Sequence, residues 1–202
     1  MLIVRDLVAG PRRFVELQRV LPGISTEQLR SRLNRMVADG MLTRKRYREV
    51  PPRVDYDLTD RARELMPILG ELARWGYDWA WSAPRSSEAV DIGAIFRLAP
   101  GLAQRGPGVD GTAEFAVSDA RDNGETALYT LTASGGHTMI AEHGAERSDA
   151  RVSGDTAAWI AALSPDHDRS RLHITGDHRL AESMLDGLMA SSSTRAAASA
   201  AA

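Results

Sequence analysis

The stretch STEQLRSRLNRMVADGMLTRKRYREVPPRVDYDL, residues 25–58, decides the fold of the first third of this 202-residue chain. Ser25 is a good helix N-cap, and Glu27 places a negative charge in the first turn, where the helix dipole favours it. Leu29, Leu33, Met36 and Val37 follow at i, i+4, i+7 and i+8, the spacing of a helix with one buried stripe, and Gly40 sits where a C-terminal glycine belongs. After Gly40 the period changes. Leu42 to Tyr47 and Arg53 to Leu58 read as two strands joined through Glu49-Val50-Pro51-Pro52, with Val54, Tyr56 and Leu58 on one face of the second and Arg53, Asp55 and Asp57 on the other.

Upstream, Leu2, Ile3, Val4, Leu7 and Val8 form a helical stripe that Gly10-Pro11 ends. Phe14, Leu17, Val20 and Leu21 form a second, stopped by Pro22-Gly23. Helix, Gly-containing turn, second helix and basic hairpin is the order of a winged helix-turn-helix. On the Thr26–Asp39 helix the buried stripe leaves Thr26, Gln28, Arg30, Ser31, Asn34 and Arg35 outward. These side chains can reach base edges or phosphates, Arg suiting guanine and Gln or Asn suiting adenine. The hairpin adds Arg44, Lys45, Arg46, Arg48 and Arg53, a cluster of cations on a projecting ribbon that Pro51-Pro52 stiffens, as phosphate contacts require. A solvated basic face is the bland alternative, but here the cations coincide with the two elements a winged helix points at DNA.

Charge is divided along the chain. Residues 1–55 hold 12 Lys+Arg against 6 Asp+Glu, and residues 86–202 hold 9 against 16, although the whole chain is only −2. Halves of opposite sign imply different work, the basic one near a polyanion. No run approaches eighteen apolar residues, so neither a membrane span nor a membrane partner is expected, and the location implied is the cytoplasm. Cysteine is absent, which excludes disulfides, thiolate metal sites and thiol redox sensing.

Beyond the hairpin, Thr59 can cap a long helix to about Trp81, with Ala62, Leu65, Met66, Leu69, Leu72 and Ala73 on its buried side and a kink or break at Pro67. Ser82 to Ser87 is the best linker. A helix is predicted over Val90 to Leu98, then a Gly/Pro-rich loop through Gly111. Strands are predicted at Thr112 to Val117, Ala127 to Ala133 and His137 to Glu142. Ala150 to Val152 leads into a helix at Asp155 to Leu163, and Arg171 to Thr175 forms a strand before a helix from Asp177 to about Met189. The tail from Ser191 is Ser/Ala-rich and expected to be disordered. The division expected is therefore 1–81, a linker over 82–90, a second domain over 91–190, and the tail 191–202; the class is α+β.

The segments LIVRDLVAGPRRFVELQRVLPGISTEQL (2–29), ADGMLTRKRYREVPPRVDYDLT (38–59) and ELARWG (71–76) resemble the HxlR family of bacterial transcription regulators. Separated motifs carry the resemblance: GPRRF, LPGIS, ADG, PPRV and YxLT. It implies a homodimer on a partly palindromic operator in double-stranded DNA, with Thr26 to Arg35 as recognition helix and Arg44 to Arg53 as wing. Two departures stand out. The family's usual first helix, which carries a Trp, often a Cys, and part of the dimer interface, has no counterpart ahead of Leu2, and the family's glycine after the LT motif is Ala62.

In the second half, SDARVSGDTAAWIAAL and RLHITGDHRLAESMLDGL resemble an SCP2-like (sterol carrier protein 2-like) domain. In each a strand meets a Gly-Asp turn whose Asp caps a helix. A departure is Ser164-Pro165-Asp166-His167-Asp168 in place of the family's Gly-rich turn. The resemblance implies a five-stranded sheet with helices over one face and room for a hydrophobic small-molecule effector, for which Phe96, Phe115, Leu128, Leu131, Met139 and Trp159 are the candidate lining. Core packing is the stronger expectation for each of the six.

An enzyme is not expected. His137 and His143 are six apart and His173 and His178 five apart, neither a helical ligand pair, and no nucleophile, P-loop or dinucleotide motif is present, so no cofactor or metal is implied. The reading is a DNA-binding transcriptional regulator. The alternative is a lipid or small-molecule carrier whose winged helix serves protein contacts, which predicts no salt-sensitive DNA binding.

Overall fold

The computed structural model describes residues 1–21, 23–48, 53–85, 88–102, 109–118 and 125–189. The expected stop at Pro22, the Pro51-Pro52 tip, Ser86 and Ser87 of the expected linker, most of the Gly/Pro-rich loop and the expected disordered tail lie outside the described residues. Backbone contacts divide the chain into two compact units, Met1–Leu69 and Gly70–Ala202.

In the first unit the elements run α1 (Leu2–Leu7), β1 (Arg12–Arg13), α2 (Phe14–Val20), α3 (Thr26–Ala38), β2 (Leu42–Tyr47), β3 (Arg53–Leu58), α4 (Asp60–Arg63) and the start of α5 (Met66–Ala80). Strands β2 and β3 are antiparallel, Leu42 opposite Leu58 and Tyr47 opposite Arg53. The hairpin gains a short third strand that the sequence pattern does not announce: β1 pairs with β3, Arg12 opposite Tyr56 and Arg13 opposite Asp55. Leu7, Leu17, Leu29, Leu33, Leu42 and Leu58 are buried in the core of this unit. Burying each such side chain contributes about 1.5–3 kcal/mol.

The predicted break at Pro67 is present. Thr59 caps α4 by accepting from Ala62 N–H at 3.3 Å, the helix ends at Arg63, and α5 restarts at Met66. Pro67 then occupies the first turn of α5, where a missing N–H costs nothing. The predicted buried side of the long helix needs one correction: Leu72 is exposed. Ala62, Met66 and Leu69 are buried as expected, and Arg74 turns inward where Leu72 does not.

From Gly70 onward α5 belongs to the second unit, whereas the sequence places the division at the linker twelve residues later. Its backbone approaches that of Gly101 so closely that a Cβ at Gly70 would collide with the Gly101 carbonyl, and Arg74 donates to the Leu102 carbonyl and pairs with Glu71. The helix expected at Val90 to Leu98 is shorter, α6 (Gly93–Phe96), and a second short helix, α7 (Ala99–Leu102), follows it where a loop was expected. Pro100 has no N–H to give to the Phe96 carbonyl, so one continuous helix cannot run through.

The rest of the unit is built on β4 (Gly111–Ser118), β5 (Thr126–Ser134), β6 (His137–Ala141), β7 (Ala150–Asp155) and β8 (His173–Gly176), interrupted by α8 (Thr156–Ala162) and followed by α9 (His178–Leu188). The sheet order is β6-β5-β4-β7-β8, with β4 and β7 parallel and the other neighbours antiparallel. The five-stranded mixed sheet agrees with the expected α+β class.

Phe115, Val117, Tyr129, Leu131, Ile140 and Val152 share the face that the helices cover. Trp159 of α8 is fully buried and donates its indole N–H to the Ala116 carbonyl at 3.0 Å. The segment after β6 crosses the other face, where Glu114 accepts from Ala145 N–H at 3.1 Å and pairs with Arg151 at 2.5 Å. Both predicted Gly-Asp caps form: Asp155 accepts from Ala158 N–H at 2.6 Å and Asp177 from Leu180 N–H at 3.0 Å. Gly176 has φ 80 and lies against the Asp149 carbonyl, so no other residue fits that turn without strain.

Among the described residues, no helix is long and apolar enough to cross a membrane.

Candidate nucleic-acid interface and ligand site

Helix α3 is fastened at its start by a reciprocal cap. Gln28 N–H donates to Ser25 Oγ at 3.2 Å, and Gln28 Oε1 accepts from Ser25 N–H at 3.2 Å. Such a cap is worth about 1 kcal/mol. Thr26 Oγ1 accepts from Gln18 of α2 at 3.0 Å, tying the two helices together. Arg30 pairs with Glu27 at 3.2 Å and Arg35 with Asp39 at 3.6 Å, all four side chains well exposed. Ser31 and Asn34 are exposed.

All six expected outward residues of α3 are therefore at the surface, but four of them are engaged within the protein. Arg32, absent from the expected set, is also exposed. The expected buried stripe is narrower than its spacing implies, because only Leu29 and Leu33 are buried while Met36 and Val37 are half-exposed.

The wing divides its cations by strand register. Arg44 and Arg46 stand opposite Tyr56 and Val54 on one face, and Lys45 stands opposite Asp55 on the other. Arg44, Arg46 and Arg48 are exposed and have no ion-pair partner among the described residues. Lys45 lies 5.1 Å from the Tyr47 ring centroid and Arg53 lies 4.9 Å from it.

Arg53 differs from the other four. Its guanidinium grips the buried Asp55 carboxylate through bonds of 2.9, 3.0 and 2.6 Å. The hydrogen bond from Arg53 holds the Asp55 carboxyl below its ordinary range, burial opposes this, and the charges of Arg53, Arg13 and Lys45 reinforce it. Arg53 is thus tied down along β3 at the tip end of the hairpin, opposite Tyr47, while Arg44, Arg46 and Arg48 are exposed.

The six expected ligand-lining residues do not form one wall. Phe96, Phe115 and Trp159 are fully buried and interlock with centroid separations of 5.4, 5.0 and 5.7 Å, and Tyr129 closes the cluster 5.1 Å from Phe96. Leu131 shares their face of the sheet. Leu128 and Met139 lie across the sheet, Met139 being 63% exposed. Ring-to-ring contact at these distances is core packing, as the sequence reading preferred.

A cavity of about 100 Å³ lies elsewhere in the second unit. Ala73, Arg74 and Tyr77 of α5 form one wall, with Ile95, Leu163 and Met189 among the facing residues. The Tyr77 hydroxyl is buried without a hydrogen-bond partner among the described residues. Burial pushes its pKa up, and the carboxylates of Asp78 and Asp166 push the same way.

Comparison with known proteins bears on the first of these sites. A family model described as HxlR-like helix-turn-helix matches residues 1–83. An HTH-type transcriptional regulator of Synechocystis sp. is 44% identical over 78 residues, 39% of this chain and 58% of its own length. One from Halalkalibacterium halodurans is 50% identical over 66 residues, 33% of this chain and 58% of its own. YvaP of Bacillus subtilis, also described as an HTH-type transcriptional regulator, is 40% identical over 78 residues, 39% of this chain and 72% of its own. The match spans 58% of the length of the first two relatives.

Proposed function

The chain belongs to the HxlR-like helix-turn-helix family, and from that premise we propose that it is a cytoplasmic DNA-binding transcriptional regulator whose second unit senses a small apolar molecule. The observation that carries the DNA reading is the coincidence of a capped, polar-faced α3 with a hairpin from which Arg44, Arg46 and Arg48 project without ion-pair partners among the described residues. In this reading α3 enters the major groove, where Ser31, Asn34, Arg35 and Arg30 meet base edges, and Thr26 and Gln28 hold the N-terminus in place. The wing cations sit on phosphates, and Arg53 keeps the ribbon rigid through Asp55.

A homodimer on a palindromic operator fits the surface of α5. Ile68, Leu72, Trp75 and Trp79, spaced four, three and four residues apart, are 54–75% exposed. This is the seam of a helix that packs against another helix, and a second copy supplies one by symmetry. For the second unit, a five-stranded sheet with helices on one face and two strand–Gly-Asp–helix repeats support an SCP2-like domain.

Selection of genomic fragments by the purified chain across a salt series tests the proposal. The expected result is enrichment of one palindromic site that weakens as salt rises and is reduced on replacing Arg35 or Arg46 with Ala. No salt-dependent DNA retention at any ionic strength overturns it and leaves the carrier reading, in which the second unit binds the small molecule and the winged helix serves protein contacts.

A further inference from the structure

Resting on the reading of the second unit as the sensing part, we propose that the cavity behind α5 is the effector site, and that it takes a neutral molecule about the size of one small ring carrying a hydrogen-bond acceptor that meets the Tyr77 hydroxyl. Four observations lead there. First, the volume of about 100 Å³ is well below the roughly 300–1,000 Å³ of sites for drug-sized molecules, so a sterol or an acyl chain does not fit. Second, Ala73, Ile95, Leu163 and Met189 make the lining mostly apolar, which favours a ring with little polarity of its own. Third, a buried hydroxyl without a partner is costly, and a ligand acceptor removes that cost. Fourth, the ligand is neutral because Arg74, the cation in the lining, is already committed to Glu71 and the Leu102 carbonyl, while Asp78 and Asp166 lie close enough to raise the Tyr77 pKa. An anion finds no uncommitted charge among these groups, and Tyr77 stays a donor at neutral pH.

The position matters as much as the chemistry. Ala73 and Tyr77 sit on α5, a single helix that begins at Met66 within the first unit. A ligand in the cavity therefore touches the element that is covalently continuous with the DNA-binding unit. A shift in operator affinity requires only that the ligand favour one state of that helix over another.

The test uses the full chain with methyl-labelled Leu and Met, titrated by NMR with cyclopentanone and, separately, benzene, two small rings of which only the first has an acceptor. Saturable shifts confined to Leu98, Leu102, Leu163, Leu188 and Met189 are expected with both. Tyr77→Phe is expected to weaken cyclopentanone about fivefold, the loss of one ordinary hydrogen bond, and to leave benzene unchanged. Ala73→Phe, which fills the cavity from its half-buried α5 wall, is expected to abolish both responses while far-UV circular dichroism stays native. Absence of saturable shifts, or shifts that survive Ala73→Phe, overturns the site. Equal cyclopentanone affinity in Tyr77→Phe overturns the acceptor chemistry. DNA binding is followed on the same samples. Its absence beside intact ring binding overturns the regulator reading and leaves the cavity assignment standing, so the two failures are distinguishable.

Discussion

Helix α3 and the β2–β3 wing carry similar numbers of Arg residues but hold them differently. On α3, Arg30 and Arg35 are paired with Glu27 and Asp39, the Gln28 and Thr26 side chains are spent on fastening the helix, and Arg32 alone of its three arginines is exposed with no ion-pair partner among the described residues. On the wing, Arg44, Arg46 and Arg48 are exposed with no ion-pair partner among the described residues. Exposed ion pairs are worth only about 0–1 kcal/mol, so the α3 pairs open readily, but only where a base edge or phosphate repays the exchange. In the function proposed, the wing attracts any duplex whereas the helix discriminates. That proposal puts attraction and discrimination on separate elements, so each can be removed alone.

The largest effect is expected from the wing. Replacing Arg44, Arg46 and Arg48 together with Ala lowers affinity about a hundredfold and reduces the log–log salt slope by about 2–3, equally for operator and random DNA; fluorescence anisotropy at several salt concentrations reads both quantities. An unchanged slope would place the wing off the phosphates.

Next in size is Arg35→Ala, for which about a tenfold loss on the operator, and much less on random DNA, is expected. Equal losses on the two DNAs would make α3 another phosphate clamp and dissolve the contrast.

Asp55→Asn is expected to cost about 1–3 kcal/mol by urea unfolding, because the bonds from Arg53 lose their charge-assisted acceptor. The same substitution alters the pH profile. The Asp55 carboxyl lies below its ordinary value in the folded chain, so its contribution is present above the unfolded-state carboxylate range and is lost as pH falls through the lower folded value. The variant should lack that acid-side loss.

The smallest effect is Glu27→Gln, which frees Arg30 and should strengthen operator binding about twofold at low salt, fading as salt rises.

The first unit was legible where local chemistry decides the structure. Ser25, Gly40, Thr59 and Pro67 punctuate the chain with short-range rules, and each does in space what its position predicts. In the second unit Asp155 and Asp177 were equally legible as caps. What escaped depends on partners distant in sequence. Arg12 and Arg13 form a strand only because Tyr56 and Asp55 lie beside them. Arg53 reads as one more wing cation until Asp55 is seen buried next to it. The cavity draws on α5 and on residues more than a hundred positions away, a juxtaposition no periodicity encodes. The aromatic residues named from the sequence pack against one another instead, since Phe and Trp at core spacing satisfy their own burial before they line a void.

The four Trp residues are unevenly placed, three of them exposed on or just after α5 and one, Trp159, sealed in the second-unit core with its indole N–H bonded to Ala116. The molecule therefore carries two optical reporters of different kinds. Association along α5 would move Trp75 and Trp79 from water into an apolar seam and shift emission to the blue, whereas unfolding of the second unit would expose Trp159 and shift it to the red. Opposite colour changes from one unlabelled sample can thus separate assembly from melting as concentration and denaturant are varied.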